Sequence, residues 1–375
     1  MFFDWLSCYQ DFGFELPIVA KEGYAIFNFE DGSLSPIRQR RIQHEGSFST
    51  SVMVKVSGNR VYVSGNPSRF DRLENLFGFV NIDQCMSVYN RILASLGLPP
   101  FTKGRNLGYL QTQKDNGSIK LTPAFDGAVI TELHITENVS VGEGCEMSYL
   151  KALSMLPYRH SVPRLHTNGM TVDWLSRTGN ARDLYAKVYQ KANELRLHLL
   201  PTVKKRFGED SDEHRYVVSV IGYCESQGAV RFEQKLRAGF LRKHALSYWG
   251  LSDFSYLEKI HFNFLSIDDK LKVSNMNLQT LTETLLAEGI CSNTKAANIT
   301  SLYAINWMNG QKFNPSLKQV QTHRARLRKI GIDILNPCNL LVFSPVIVKE
   351  VTKIHKKPLT PPPFYRHPKY LSLVA

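Results

Sequence analysis

Residues 47 to 66 read Ser47-Phe-Ser-Thr-Ser-Val-Met-Val-Lys-Val-Ser-Gly-Asn-Arg-Val-Tyr-Val-Ser-Gly-Asn66. β-branched residues alternate with polar ones on both sides of Gly58-Asn59, and such a pair between two alternating runs marks a β-hairpin. Working outward, Asp83 to Leu96 carries Met86, Tyr89, Ile92, Leu93 and Leu96 at helical spacing until Gly97-Leu-Pro-Pro100 stops it. A strand is expected from Ala128 to Thr136, a helix around Glu146 to Leu156, and an extended run from Val172 to Leu175. Leu184 to Leu200 is periodic enough to be mostly helical before Pro201, and a further strand should cover Ala229 to Leu236. Strands and helices thus alternate irregularly, which predicts an α+β domain over residues 1–265.

From Leu278 onward the apolar residues keep helical spacing and glycines stand where helices end. Leu278 to Glu288 stops at Gly289, Ser292 is placed to N-cap a helix running to Met308, and Leu317 to Ile330 stops at Gly331. Between residues 270 and 330 there are nine basic residues (270, 272, 295, 312, 318, 324, 326, 328, 329) against Glu283 and Glu288, a net of +7 out of the chain's +13. Residues 270–335 therefore read as a small basic helical DNA-binding domain, with Arg324, Arg326, Arg328 and Lys329 toward the DNA backbone. An ordinary solvated basic helix face is the alternative. Residues 336–375, with Pro361-Pro-Pro363 and Pro368, read as an extended proline-rich tail.

Composition narrows the function. A chain of 375 residues is long for one core, and a hydrophobic fraction of 43% with 21% charged residues excludes a disordered or low-complexity protein. The positive balance, 46 Lys and Arg against 33 Asp and Glu, favours polyanions. The longest apolar stretch, Asn339 to Val348, is broken by Ser344 and Pro345 and is too short to span a bilayer, so no membrane partner is expected. Met1-Phe-Phe-Asp-Trp-Leu6 has no basic n-region, which predicts a protein of the cytoplasm. Six widely spaced cysteines, with no CxxC pair, read as buried reduced thiols.

Three segments could carry chemistry. In Ile130-Thr-Glu-Leu-His-Ile-Thr136 the strand period puts Glu132 and His134 on one face, where they could share a hard divalent ion such as Mg²⁺ or Mn²⁺. An exposed face bearing one Glu and one His is the plain alternative. In Leu184-Tyr-Ala-Lys-Val-Tyr-Gln-Lys-Ala-Asn-Glu-Leu195, Tyr185 and Tyr189 lie four apart, as do Lys187 and Lys191. Helical or extended, tyrosine comes beside lysine, and an ammonium group can support a phenol as nucleophile; half-buried tyrosines with snorkelling lysines are the alternative. In Val230-Arg-Phe-Glu-Gln-Lys235, Arg231, Glu233 and Lys235 share a face. Such a face is usually solvated, but Arg231 could hold a phosphate and Glu233 could complete the metal site if this strand lies beside that of His134.

Together these residues resemble the filamentous-phage gene II family of rolling-circle replication initiators. The likeness rests on Asp4-Trp-Leu6, Gln10-Asp11 and Leu16-Pro17, on Ser51 through Val-Ser-Gly-Asn-Pro-Ser68 to Asn75-Leu-Phe-Gly78, and on Leu96-Gly-Leu-Pro99. It continues through the Glu132 and His134 strand, Val188-Tyr-Gln-Lys-Ala-Asn-Glu-Leu195 and Val230-Arg-Phe-Glu233. The resemblance implies an HUH-like nicking domain built on a central antiparallel sheet. It implies nicking of double-stranded origin DNA through a 5′-phosphotyrosyl link, a free 3′-hydroxyl for the host polymerase, and later closure of the displaced single strand. In its Tyr-x-Lys-x-x-Glu-Leu pattern the nucleophile falls on Tyr189, with Lys191 and Glu194 matching. Tyr185 is a supporting residue or a second nucleophile. Where coliphage members carry Arg-Ile-Asp, this chain has Glu132-Leu-His134, and the third ligand is Glu233 or, after it, Glu194. Lys204, Lys205 and Arg206 are further DNA contacts, and host helicase and polymerase are candidate partners. A non-catalytic origin-binding regulator, or a nucleic-acid or membrane-surface protein recruited by charge, are the rival readings.

Overall fold

The computed structural model describes residues 1–45, 51–269, 278–308, 311–330, 332–335, 354 and 356–367. Ser47 to Thr50 of the opening stretch, Lys270, Lys272, Gly331, Cys338, the Asn339 to Val348 run and Pro368 lie outside them.

The chain is α+β, organised on one antiparallel sheet of ten strands. In chain order the strands are β1 (Phe2–Asp11), the short pair β2 (Gly23–Tyr24) and β3 (Arg38–Gln39), β4 (Ile42–Glu45), β5 (Ser51–Ser57) and β6 (Arg60–Gly65). Then come an exposed ribbon of β7 (Leu107–Gln113) and β8 (Ile119–Phe125), followed by β9 (Val129–Ser140), β10 (Val162–Leu165), β11 (Thr171–Leu175), β12 (Leu184–Gln190), β13 (Ala229–Arg237) and β14 (Lys357–Pro358). The sheet order is β10-β11-β12-β13-β9-β1-β6-β5-β4, with β14 also on β9.

The expected hairpin is β5 and β6, joined at Gly58-Asn59, where Gly58 takes φ +60° at no steric cost. Alternation then assigns the faces. Val52, Val54, Val61, Val63, Leu6, Leu133, Ile135, Val188 and Phe232 point into the main core. Helix α1 (Ile82–Ser95) lies against that face, and its Tyr89 hydroxyl donates to the carbonyls of Leu6 and Gly65 at 2.6 and 3.0 Å. Asn81 closes its N-terminus in a capping box with Gln84.

Two expectations about Leu184 to Leu200 need correction. Leu184 to Gln190 is a strand paired on both sides, by β11 and β13, and helix begins only at Lys191. A period of two contains every i+4 position, so Leu184 and Val188 satisfy the helical and extended patterns equally; sheet pairing decides. Nor does Pro201 end the helix. A π-helical turn over Leu195–Leu199 lies just before the proline, and the helix runs on through Leu200–Phe207.

Beyond residue 278 the described helices are Leu278–Ala287, Thr294–Met308 and Lys318–Lys329. They close on cores of their own, around Leu281, Ala304, Val320 and Leu327 and around Leu285, Cys291 and Ala297. The middle helix is capped by Asn293, which accepts from the amide of Ala296 at 2.8 Å, and not by Ser292. The proline-rich segment is extended but not free. Lys357 and Pro358 pair with Ser140 and Val139, and the Leu359 amide donates to Asn138 O at 3.0 Å. Tyr365 is buried, accepting from Arg72 at 2.6 Å and from the Phe77 amide at 2.8 Å. Replacing Tyr365 by Ala should lower stability by about 3 kcal/mol, as large aromatic truncations in cores do, and a shift of the urea midpoint measures it. The described cysteines are all free thiols. No helix among the described residues is long and apolar enough to cross a membrane.

Candidate active site

The sheet face opposite α1 collects the chemistry, and strand register explains how. Three cross-strand rows run across β9, β13 and β12: His134 with Lys235 and Tyr185, Thr136 with Glu233 and Lys187, and Asn138 with Arg231 and Tyr189. Glu233 stands in the middle row, diagonal to His134 on one side and to Tyr189 on the other. The assumed neighbourhood of β9 and β13 is thus real.

The contacts follow those diagonals. The Tyr189 hydroxyl donates to Glu233 Oε2 at 3.2 Å. Glu233 Oε1 lies 3.4 Å from His134 Nδ1, and His134 Nε2 lies 3.1 Å from Glu132 Oε1. Lys187 pairs with Glu233 at 3.1 Å and stands 4.9 Å over the Tyr189 ring, while Lys235 pairs with Glu132 at 2.8 Å. Trp5 of β1 stacks on His134, with centroids 5.9 Å apart.

A second, deeper layer holds the strands in place. Arg231 is fully buried, so its guanidinium orders the site from inside and is not a surface contact for a duplex as the charge alternation suggested. It donates to Asn138 Oδ1 at 2.8 Å and to Asn75 O at 2.7 Å, and lies 3.8 Å from Asp4. Lys191, also fully buried, donates to Glu194 at 2.5 Å and to Asn75 Oδ1 at 3.3 Å. Glu194 is thereby committed to Lys191, whereas Glu233 is the carboxylate that reaches His134. Tyr185 belongs to a different cluster, donating to Asp173 at 2.9 Å; Asp173 is buried and also takes two hydrogen bonds from Arg164.

The protonation states follow from burial and pairing. Burial, then the charge of Glu233, push the Tyr189 phenol well above its ordinary value. Burial would raise Glu132 and Glu233, but His134 and the paired lysines outweigh it, taking Glu132 to about 2 and Glu233 well below the carboxylate range. Burial would lower His134, yet its bonds to Glu132 and Glu233 leave it above the ordinary imidazole value.

A stability prediction results. The raised imidazole contributes fully below the unfolded value near about pH 6.5 and loses its contribution as pH rises through the folded one. The lowered carboxylates contribute above about pH 4.3 and lose it as pH falls through theirs. The cluster should therefore stabilise most between about pH 4.5 and 6.5. In urea unfolding, the advantage of wild type over His134→Asn should shrink from pH 6 to 8; an advantage that grows would contradict the assignment.

For a divalent ion, Glu132, His134 and Glu233 are the right donors in kind, two carboxylates and an imidazole. They form a line, each histidine nitrogen facing one carboxylate, and no ready group of three or more ligands stands among the described residues. The two carboxylates are already paired with ammonium groups, which an ion would have to displace.

The basic residues fall into two sets. Lys204, Lys205 and Arg206 are exposed at the end of the Leu200–Phe207 helix, where Lys204 pairs with Glu209 at 2.6 Å. On the Lys318–Lys329 helix, Arg328 and Lys329 are exposed, whereas Arg324 is held by two hydrogen bonds to Asp333 and Arg326 reaches Thr300 at 3.4 Å. Sequence reading did not pick Asp4, Asn75 or Asn138 as site residues; it did set a lysine beside the tyrosines, and Lys187 is the one that stands over the Tyr189 ring. The alternation of Lys187 with Tyr185 and Tyr189 carried that signal once the segment is a strand.

The sheet, its buried ionic layer and the Tyr189 cluster occupy the region matched, over residues 2–254, by a family model for the N-terminal part of the phage gene II replication-associated protein. A second model, for the C-terminal part of the same replication-associated protein, matches residues 285–371. The chain belongs to the gene II family of replication-associated proteins, the phage initiator family that its sequence resembles. Among its relatives, the gene II replication-associated protein of Escherichia phage If1 is 50% identical over 320 residues, which cover 85% of this chain and 98% of that protein.

Proposed function

We propose that this protein starts rolling-circle replication of phage DNA by nicking one strand of the double-stranded origin, and that it later rejoins the displaced single strand. The observation that carries the reading is the bond from Tyr189 to Glu233, because it joins the family's nucleophile position to the Glu132 and His134 pair in one cluster.

In this mechanism the Tyr189 oxygen attacks the scissile phosphorus in line and passes its proton to Glu233, the carboxylate it already touches. The bond from phosphorus to the 3′ oxygen breaks and that oxygen takes up the proton Glu233 received, leaving a 5′-phosphotyrosyl link and a 3′-hydroxyl for the host polymerase to extend. Attack by a 3′-hydroxyl on the same link reverses these steps and closes the circle, so the diester energy is conserved. Lys187, between the Tyr189 ring and Glu233, supports the anion that develops as the phenol ionises. Lys191, fixed by Glu194 and Asn75, positions the turn from strand to helix just after Tyr189. Glu132 and His134 Nε2 would hold Mg²⁺ or Mn²⁺, which would supply polarisation of the phosphate and offset its charge, while Glu233 stands on the Nδ1 side of the ring as the proton acceptor. The exposed residues Lys204, Lys205, Arg206, Arg328 and Lys329 would contact the DNA backbone, so affinity should fall steeply with salt.

The experiment is to incubate the protein with a supercoiled plasmid carrying the origin of its own genome, with either metal or with chelator, and to resolve the topoisomers. Nicked circles bearing protein on the 5′ end, absent with chelator, are expected. Binding to the origin without nicking in either metal would leave a regulator in its place.

A further inference from the structure

The face that carries Tyr189 continues across β1, β6 and β5, and there it holds a cavity of about 500 Å³. That volume lies in the range of about 300–1,000 Å³ usual for small-molecule sites. Its shape is written in the strand register. Glu132, Ser7, Ser64 and Met53 form one cross-strand row, and the two serines at its centre leave space that larger side chains would fill. Trp5 closes one side, with its indole N–H on Ser7 Oγ at 2.9 Å and one ring face given to His134. Tyr62, in the next row between Tyr9 and Lys55, closes the other.

The rim is cationic. Arg41 and Lys55 line this cavity and also a neighbouring one of about 550 Å³ that adds Arg40 and Tyr24. Two aromatic walls, a floor of hydroxyls and a basic rim are the parts with which proteins hold unpaired nucleic acid: rings stack on bases, and cations follow the phosphates. Trp5 and Tyr62 stand in rows separated by the two serines, so a flat, unpaired base can enter the slot between them, as a stacked duplex cannot. The inner end of the slot is Glu132, whose oxygen also meets His134, so whatever base it holds sits close to the candidate cleavage cluster.

We infer that this slot binds one unpaired nucleobase of the DNA strand next to the phosphate presented to Tyr189, while Arg41 and Lys55 take the adjoining phosphates. The inference rests on the nicking reading above and adds to it the place where the separated strand is gripped.

The test compares, by fluorescence anisotropy in chelator, binding of the full-length protein to labelled oligothymidylate of about twelve residues and to an abasic deoxyribose-phosphate chain of equal length. Wild type should prefer the thymidylate on the order of ten-fold, in line with the loss of one stacked base. Ser64→Phe, which fills the slot from the open face, should bring both affinities to the abasic level, and Tyr62→Leu, which removes a wall without adding bulk, should do the same if the first variant folds poorly. Lys55→Ala should weaken both chains alike. Equal wild-type affinity for the two chains, or a preference that survives both slot variants, overturns the inference. Plasmid nicking scored alongside separates the two readings: base preference without nicking keeps the slot and ends the nuclease, and nicking without base preference does the reverse.

Discussion

Tyr189→Phe should reduce origin nicking on the order of 10⁴-fold or more, the scale of losing a covalent nucleophile, while leaving the fold in place. The substitution removes one oxygen. The ring keeps its buried position beside β11 and β13, and only the bond to Glu233 is lost, about 1 kcal/mol of stability. Tyr185→Phe should behave differently and leave nicking within about ten-fold, one order in a transition-state barrier of about 1.4 kcal/mol. Its hydroxyl is engaged by Asp173, in a cluster with Arg164 that is separate from Glu132, His134 and Glu233. Single-turnover nicking of labelled origin DNA, with trapping of the protein–DNA adduct, distinguishes the two. Full adduct formation by Tyr189→Phe would move the nucleophile to Tyr185.

Arg231→Met should cost about 3–5 kcal/mol of folding stability, the penalty for breaking a buried charge network by removing one partner. Methionine fills much of the volume but donates nothing. Asn138 Oδ1 and the carbonyl of Asn75 would lose their donor, and Asp4 would lose its nearest guanidinium. Lysine should rescue little, because a single ammonium group cannot serve partners on β1, β9 and the Asn75 loop in one plane. Urea midpoints at constant slope give the value. A loss under about 1 kcal/mol, the worth of an ordinary hydrogen bond, would show that the buried layer is not what fixes Tyr189.

What the sequence made legible here was local. The Glu132 and His134 face of β9 could be read because Leu133 and Ile135 alternate with them and are both fully buried. Leu184 to Gln190 could not, because its apolar spacing fits two periods and only pairing with β11 and β13 chooses between them. Arg231, Glu233 and Lys235 looked like a solvated face for a related reason: alternation reports a shared side of the strand, not what covers that side. The cover comes from Phe2, Asn75 and Leu76, distant in the chain, and burial inverts the role of the arginine. The same holds for Lys187 and Lys191. Spacing made them equals, whereas the structure puts one beside the Tyr189 ring and buries the other against Glu194.

The docking of Leu359 and Tyr365 bears on how the molecule comes into being. Leu359 is bonded to Asn138, the residue that also takes the Arg231 guanidinium, and Tyr365 is bonded to Phe77, in the loop whose Asn75 takes the same group. In the chain, the helices from Leu278 to Lys329 thus come after strand β13 and before this docked segment, which returns to the sheet at β14. A ribosome must pass codon 365 before the scaffold behind Tyr189 receives its last partners. Ripening of the site thereby waits for translation past residue 365, and chains terminated before it should emerge with that scaffold unfinished.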